Sequence, residues 1–160
     1  MPEKIIANKF MARAIELSIE NIKNKTGGPF GAVIVKDDII IAEGANSVTK
    51  NNDPTAHAEI VAIRNACKNL NTFTATGCII YTSCEPCPMC LSAIYWARIN
   101  TIYFGNTKTD AANINFDDAF IYEQIAKPYD QRTVKMVNIM RKESLVAFDL
   151  WEKTSSKIKY

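Results

Sequence analysis

The chain of 160 residues is nearly without histidine: His57 is the only one. It also lacks an excess of charge of either sign, with a formal net charge of +2 at pH 7. The composition therefore announces no nucleic-acid binder, whose usual footprint is a basic stripe, although a local patch can hide inside a neutral total. No apolar run approaches the length that spans a bilayer. Met1-Pro2-Glu3-Lys4 lacks the basic start and continuous apolar stretch of a secretory signal. The five cysteines (Cys67, Cys78, Cys84, Cys87 and Cys90) are odd in number, and the last three crowd into seven residues. That is not the pattern of a disulfide framework. We expect a cytoplasmic protein that does not bind membranes, folded as a single domain over residues 1–160 around one core.

What the sequence does contain is a set of metal ligands. His57 stands in His57-Ala58-Glu59, and two thiols stand in Pro86-Cys87-Pro88-Met89-Cys90. Cys87 and Cys90, three apart at the start of a helix, present their sulfurs on one face. The partial positive charge of that helix end favours thiolate over thiol. Pro88 suits the first helical position. His57 is expected to open a helix of its own, with Asp53 and Thr55 as capping groups. Three protein ligands are the number a catalytic zinc takes, since its fourth position must stay open, whereas a structural zinc closes its shell with a fourth. By itself Cys-x-x-Cys reads as a redox pair, and a solitary histidine reads as a surface residue. The two motifs together point to metal. Glu59, two residues from His57, does not share its helix face and is poorly placed as a ligand of the same ion. It can reach the same cavity as a proton carrier. The plainer role is a first-turn glutamate favoured by the helix dipole. Cys84 and Glu85 read as packing and supporting groups.

The pattern along the chain alternates helices with strands. A first helix carries Phe10, Ala14 and Leu17 and ends near Lys25. Ala32-Val33-Ile34-Val35 and Ile39-Ile40-Ile41 form a hairpin around Asp37-Asp38. A helix holds Glu59, Ile60, Ile63 and Ala66, and Gly77 to Thr82 makes a third strand. Pro88 starts the helix of Leu91, Ile94, Tyr95 and Trp96, and Thr101 to Gly105 makes a fourth strand. Beyond it we expect a loop through Asn113, a short helix near 117–125, a strand near 134–140 and a last helix from about Ser144. The order implies an α/β fold of three layers, α/β/α, with a five-stranded mixed sheet and helices on both faces.

The motifs Gly28-Pro29-Phe30-Gly31-Ala32, Asn52-Asp53-Pro54-Thr55-Ala56-His57-Ala58-Glu59 and Tyr81 to Cys90, running on through Ala93 to Arg98, resemble the cytidine deaminase-like superfamily. His-x-Glu with Pro-Cys-x-x-Cys is the signature of its zinc-dependent nucleobase deaminases. Thr109-Asp110-Ala111-Ala112, the segment Phe116 to Tyr122 and the closing Tyr160 look like the small bacterial guanine deaminases within it. The resemblance covers nearly the whole length and is strongest from Gly27 to Arg98.

It implies hydrolysis of the exocyclic amine at C2 of guanine to give xanthine and ammonia. One zinc per chain would sit on His57, Cys87 and Cys90, with Glu59 as the proton shuttle and Asp118 as a second carboxylate. Asn46, Phe30, Ala58, Trp96 and Tyr160 would contact the base. It further implies a homodimer in which the segment from about 143 to 160 crosses to the partner subunit and delivers Tyr160. On their own, Asp118 reads equally as a helix cap, Asn46 as a turn residue, Phe30 as core and Tyr160 as a frayed end. A guanosine or other nucleoside deaminase, and a tRNA adenosine deaminase, share the metal motif and stay open as alternatives. Asp117, Asp118 and Glu123 after the fourth strand are unfriendly to phosphate. A module using zinc only as a staple fits poorly with three ligands beside an acid.

Overall fold

Five of the six residues of β1 (Gly31–Lys36) are buried, because this strand is covered on both faces. Its side chains alternate between them, as the pleat requires. Ala32 and Ile34 join one apolar cluster and Val33 and Val35 the other. The computed structural model describes residues 2–160, with side chains from Lys9 onward. β1 pairs antiparallel with β2 (Ile39–Ala45) and with β3 (Ile79–Cys84). β3 pairs in parallel with β4 (Thr101–Asn106), completing the order β2-β1-β3-β4.

Helix α1 (Pro2–Lys23) lays Phe10 and Ala14 against Val33, Val35 and Tyr81 on one face of the sheet. On the other face α3 (Ala58–Leu70) presents Ala58, Ala62 and Ala66, four apart and therefore on one side of the helix. α4 (Pro88–Trp96) adds Ile94 to the same cluster. The expected three layers are present. Gly44 lets β2 approach α3 closely, since a Cβ there would lie 2.2 Å from the Ala58 carbonyl oxygen.

The antiparallel and parallel pairings bring several chain ends to one edge of the sheet. Gly31 lies opposite Ala45, and Ala32 opposite Thr82. Cys84 lies opposite Asn106. Hence the entry to β1 at Phe30, the exit of β2 at Asn46 and the exit of β3 toward Cys87 all meet at that edge. The Ser47 N–H donates to the Ala56 carbonyl at 2.8 Å, tying the approach to His57 to the same place.

The chain divides into two compact units, one ending at Ala119 and one comprising Phe120–Tyr160. The second contains the remainder of α6 (Ala119–Ala126), a 3-10 turn (Tyr129–Gln131) and α7 (Arg141–Lys153). None of its residues is buried.

Among the described residues the sheet has four strands, not the expected five. Residues 134–140 form no ladder, and Val134, Val137 and Ile139 are exposed. A strand exists through its backbone pairing, and apolar β-branched residues alone do not make one. A short helix, α5 (Lys108–Ala112), lies within the loop expected through Asn113, and a further short helix, α2 (Val48–Asn51), follows β2. The first of these, α5, is closed by a capping box between Thr107 and Asp110. Asp53 and Thr55 do not cap α3. The Asp53 carboxylate accepts from the Thr55 N–H and hydroxyl, and His57 itself is the N-cap. Among the described residues no helix is long and apolar enough to cross a membrane.

Candidate active site

Two helix N-termini converge on one point. His57 is the N-cap of α3 and Cys87 the N-cap of α4, and neither side chain is spent on its own helix. Pro88 at the first helical position has no N–H, so this helix start has one orphan donor fewer to satisfy. His57 Nδ1 lies 3.5 Å from Cys87 Sγ and 3.5 Å from Cys90 Sγ. The three ligand atoms lie within 4.8 Å of one another.

These residues fit a zinc ion. Bonds of about 2.3 Å to sulfur and 2.0 Å to nitrogen in a tetrahedron set neighbouring N and S ligands about 3.5 Å apart. The chemistry of the donors agrees with the spacing. The Cys87 thiol is lowered to about 4, first because Cys90 donates to its thiolate and then because His57 does, against the cost of burial. Cys90 is pushed far up, because it donates to Cys87, is buried and faces Glu59. The bond to Cys87 raises His57. A divalent cation relieves this crowding by letting both sulfurs stay ionised. Among the described residues this is the one group of side chains arranged to hold a metal.

Glu59 is 6 % exposed and lies beside the three ligands, with Oε2 3.5 Å from Cys90 Sγ. The Thr82 hydroxyl lies 3.4 Å from Oε1. Burial, the largest cause, pushes the Glu59 carboxyl up, toward its protonated form. Asp118, half-buried, is also raised, first by burial and then by the charge of Cys87. The capping bond at the start of α6 comes from Asp117, whose Oδ1 accepts from the Ala119 N–H at 2.9 Å. Asp118 is thereby left for other work.

Asn46 is buried at the exit of β2. Its Oδ1 accepts from the Gly28 N–H at 3.4 Å and the Val48 N–H at 3.3 Å. Both partners are donors, so the amide orientation is set and Nδ2 is the atom left to bond a ligand. Phe30 stands edge-on to Phe116, with ring centroids 5.0 Å apart. Ala58 is fully buried, and as the first residue of α3 its N–H has no intrahelical acceptor.

Trp96 is not brought to this place. It ends α4, about 13 Å along the axis from Cys87 at 1.5 Å per residue. There it is exposed, with the Arg98 guanidinium over its ring. A spacing that puts two cysteines on one helical turn carries a residue nine positions later to the opposite end. Tyr160 belongs to the second unit and is exposed.

Sequence reasoning missed Thr82, Ser83 and Asn21. Thr82 and Ser83 lie inside a strand pattern that explains them without function. Ser83 Oγ accepts from the Gly31 N–H at 3.0 Å, fastening the end of β3 to the start of β1. Asn21 sits in α1, and a poor helix former inside a helix is a signal that can be read.

The family model for the cytidine and deoxycytidylate deaminase zinc-binding region matches residues 5–106. The chain belongs to this family. Two relatives place it more finely. The chain is 52% identical over 151 residues to the guanine deaminase of Bacillus subtilis, covering 94% of this chain and 97% of that protein. A crystal structure of guanine deaminase from Bacillus subtilis superposes with a TM-score of 0.93 at 52% identity, over 96% of this chain and 98% of that one. The tRNA-specific adenosine deaminase of Aquifex aeolicus is 49% identical over 76 residues, 48% of this chain and 50% of that protein.

Proposed function

We propose that this protein is a guanine deaminase, which hydrolyses the C2 amine of guanine to give xanthine and ammonia. One observation carries the reading: the likeness to the Bacillus subtilis enzyme runs through 94% of the chain. The likeness to tRNA-specific adenosine deaminases is shorter, covering 48% of the chain for the Aquifex aeolicus protein and 68% for that of Haemophilus influenzae.

His57, Cys87 and Cys90 would hold one zinc per chain. When bound, zinc supplies the Lewis acidity that makes water nucleophilic near neutral pH. Glu59 takes a proton from the attacking water on a carboxylate oxygen and passes it to ring N3 as the C2–O bond forms. It then moves the second proton to the departing amine, and the C2–N bond breaks to release ammonia. The Asn46 Nδ2 donates to an acceptor on the purine edge, and Asp118 accepts from a ring N–H. Phe30 supplies a flat wall, and the Ala58 N–H offers a further donor.

The protein acts as a single deaminase domain in the cytoplasm. It is a homodimer whose segment from about 143 to 160 crosses between subunits, bringing Tyr160 to the partner's pocket. What supports the exchange is that Phe148, Leu150 and Trp151 of α7 are exposed within one chain.

The test is ammonia release from guanine, guanosine, cytosine, adenosine and tRNA, with metal analysis of the same preparation. Release from guanine with about one zinc per chain is the expected result. Faster release from guanosine or tRNA, or activity without metal, overturns the reading.

A further inference from the structure

Asn21 is 6 % exposed in α1, and nothing in the reaction just described uses it. Its side chain nevertheless holds the two segments from which Phe30 and Asn46 emerge. Nδ2 donates to the Gly28 carbonyl at 2.8 Å and to the Asn46 carbonyl at 2.9 Å. Oδ1 accepts from the Thr26 hydroxyl at 2.6 Å, so the Asn21 amide cannot turn over without losing bonds at both ends. Around it the same segments are joined directly: the Asn46 N–H donates to the Phe30 carbonyl at 3.1 Å, and Gly28 donates to the Asn46 side chain. Gly27 fits only because it has no side chain. A Cβ there would lie 2.1 Å from the Asn46 carbonyl oxygen and 2.8 Å from Asn21 Nδ2.

We infer that Asn21 is a positioning residue that fixes Asn46 as a donor and Phe30 as a wall, and so sets the affinity of the pocket for the purine base. The inference rests on the reading of this site as a purine deaminase. Two carbonyls and one hydroxyl meet a single amide, and its bonds run to the two segments that carry Phe30 and Asn46. The network touches neither the three metal ligands nor Glu59. Loosening it therefore tilts the substrate-binding groups while leaving the metal and the proton carrier in place.

The experiment compares steady-state constants and zinc content of the protein carrying Asn21→Asp with those of the wild type. This change keeps the shape but sets an acceptor against the Gly28 and Asn46 carbonyls. KM for guanine is expected to rise by about tenfold or more, a factor in keeping with losing a buried donor. The kcat should change by no more than about threefold and zinc content should match the wild type. Thr26→Val, which removes only the hydroxyl that orients the amide, is expected to raise KM in the same direction by a smaller factor. It decides the matter if Asn21→Asp does not fold. An unchanged KM, a loss confined to kcat, or a loss of zinc overturns the assignment, because a merely structural asparagine would lower yield and stability without this split. If the wild-type protein releases no ammonia from guanine, the reading of its substrate fails instead. The same comparison is then made with whichever base of the panel it does deaminate.

Discussion

Strand β1 and helix α7 are both rich in apolar residues, yet β1 buries Val33 and Ile34 completely while α7 leaves Val146, Phe148, Leu150 and Trp151 exposed. Both elements follow local preference. β-branched residues suit a covered strand, and Leu, Ala, Glu and Lys suit a helix. What differs is the opposing surface. β1 is flanked by two strands and has α1 and α3 on its faces, so each side chain meets another. The second unit, from Phe120 to Tyr160, is too short to close a core of its own, and chains of that size usually need an outside partner. An element can therefore be written locally while its burial waits for a surface supplied elsewhere.

Several experiments sharpen or break this contrast. The largest effect belongs to the first unit: Glu59→Gln should keep its metal yet lose on the order of 10²–10⁴ in turnover, measured as ammonia release. Near-normal turnover would remove Glu59 from the mechanism. Ile34→Ala, a cavity in the sheet, should cost about 2–5 kcal/mol in chemical denaturation. A cost below about 1 kcal/mol would contradict the packing seen around β1.

In the second unit the effects should depend on a second subunit. Deleting Tyr160 should impair turnover, and mixing that variant with Glu59→Gln should restore part of it through mixed dimers. No recovery after subunit exchange would count against the crossing tail. Leu150→Ser should shift the protein toward smaller species in sedimentation at fixed concentration. Unaltered sedimentation would mean that α7 covers nothing.

The smallest effect is at Arg13, whose guanidinium donates to both Glu43 oxygens at 2.7 and 2.9 Å and holds that carboxyl below its ordinary value. The pair is partly exposed and screened, so Glu43→Gln should cost less than about 1 kcal/mol at pH 7. A lowered carboxylate stabilises the fold above its ordinary pKa of 4.5. That contribution is lost as pH falls through the lower folded value. The melting difference between variant and wild type should accordingly fade below about pH 4.

Much of the first unit was legible because its signals are local. The turn at Asp37-Asp38, the β-branched run of β1 and Pro88 at the head of α4 each act within a few residues. The capping box of Thr107 and Asp110 was equally local and could have revealed α5. The misses have other causes. The apolar residues at 134–140 resemble a strand, but pairing depends on a distant partner that one chain does not provide. Trp96 lies in the motif by sequence, but within one chain helical rise carries it to the end of α4 away from Cys87. Asp117 and Asp118 are neighbours of one type, and only the bond from the Ala119 N–H tells which of them caps the helix.

The amino-acid sequence alone determined the donor set and the layering. A histidine and two thiols at helix starts, and strands with a period of two, are properties of short segments. Only the tertiary structure decided how Asn46 presents its amide, that Asn21 holds the loop in front of it, and that Trp96 stands away. Those outcomes rest on hydrogen bonds between residues 18 and 25 positions apart and on the direction of a helix. Such contacts come into being only when the chain has closed on itself, so no local preference encodes them.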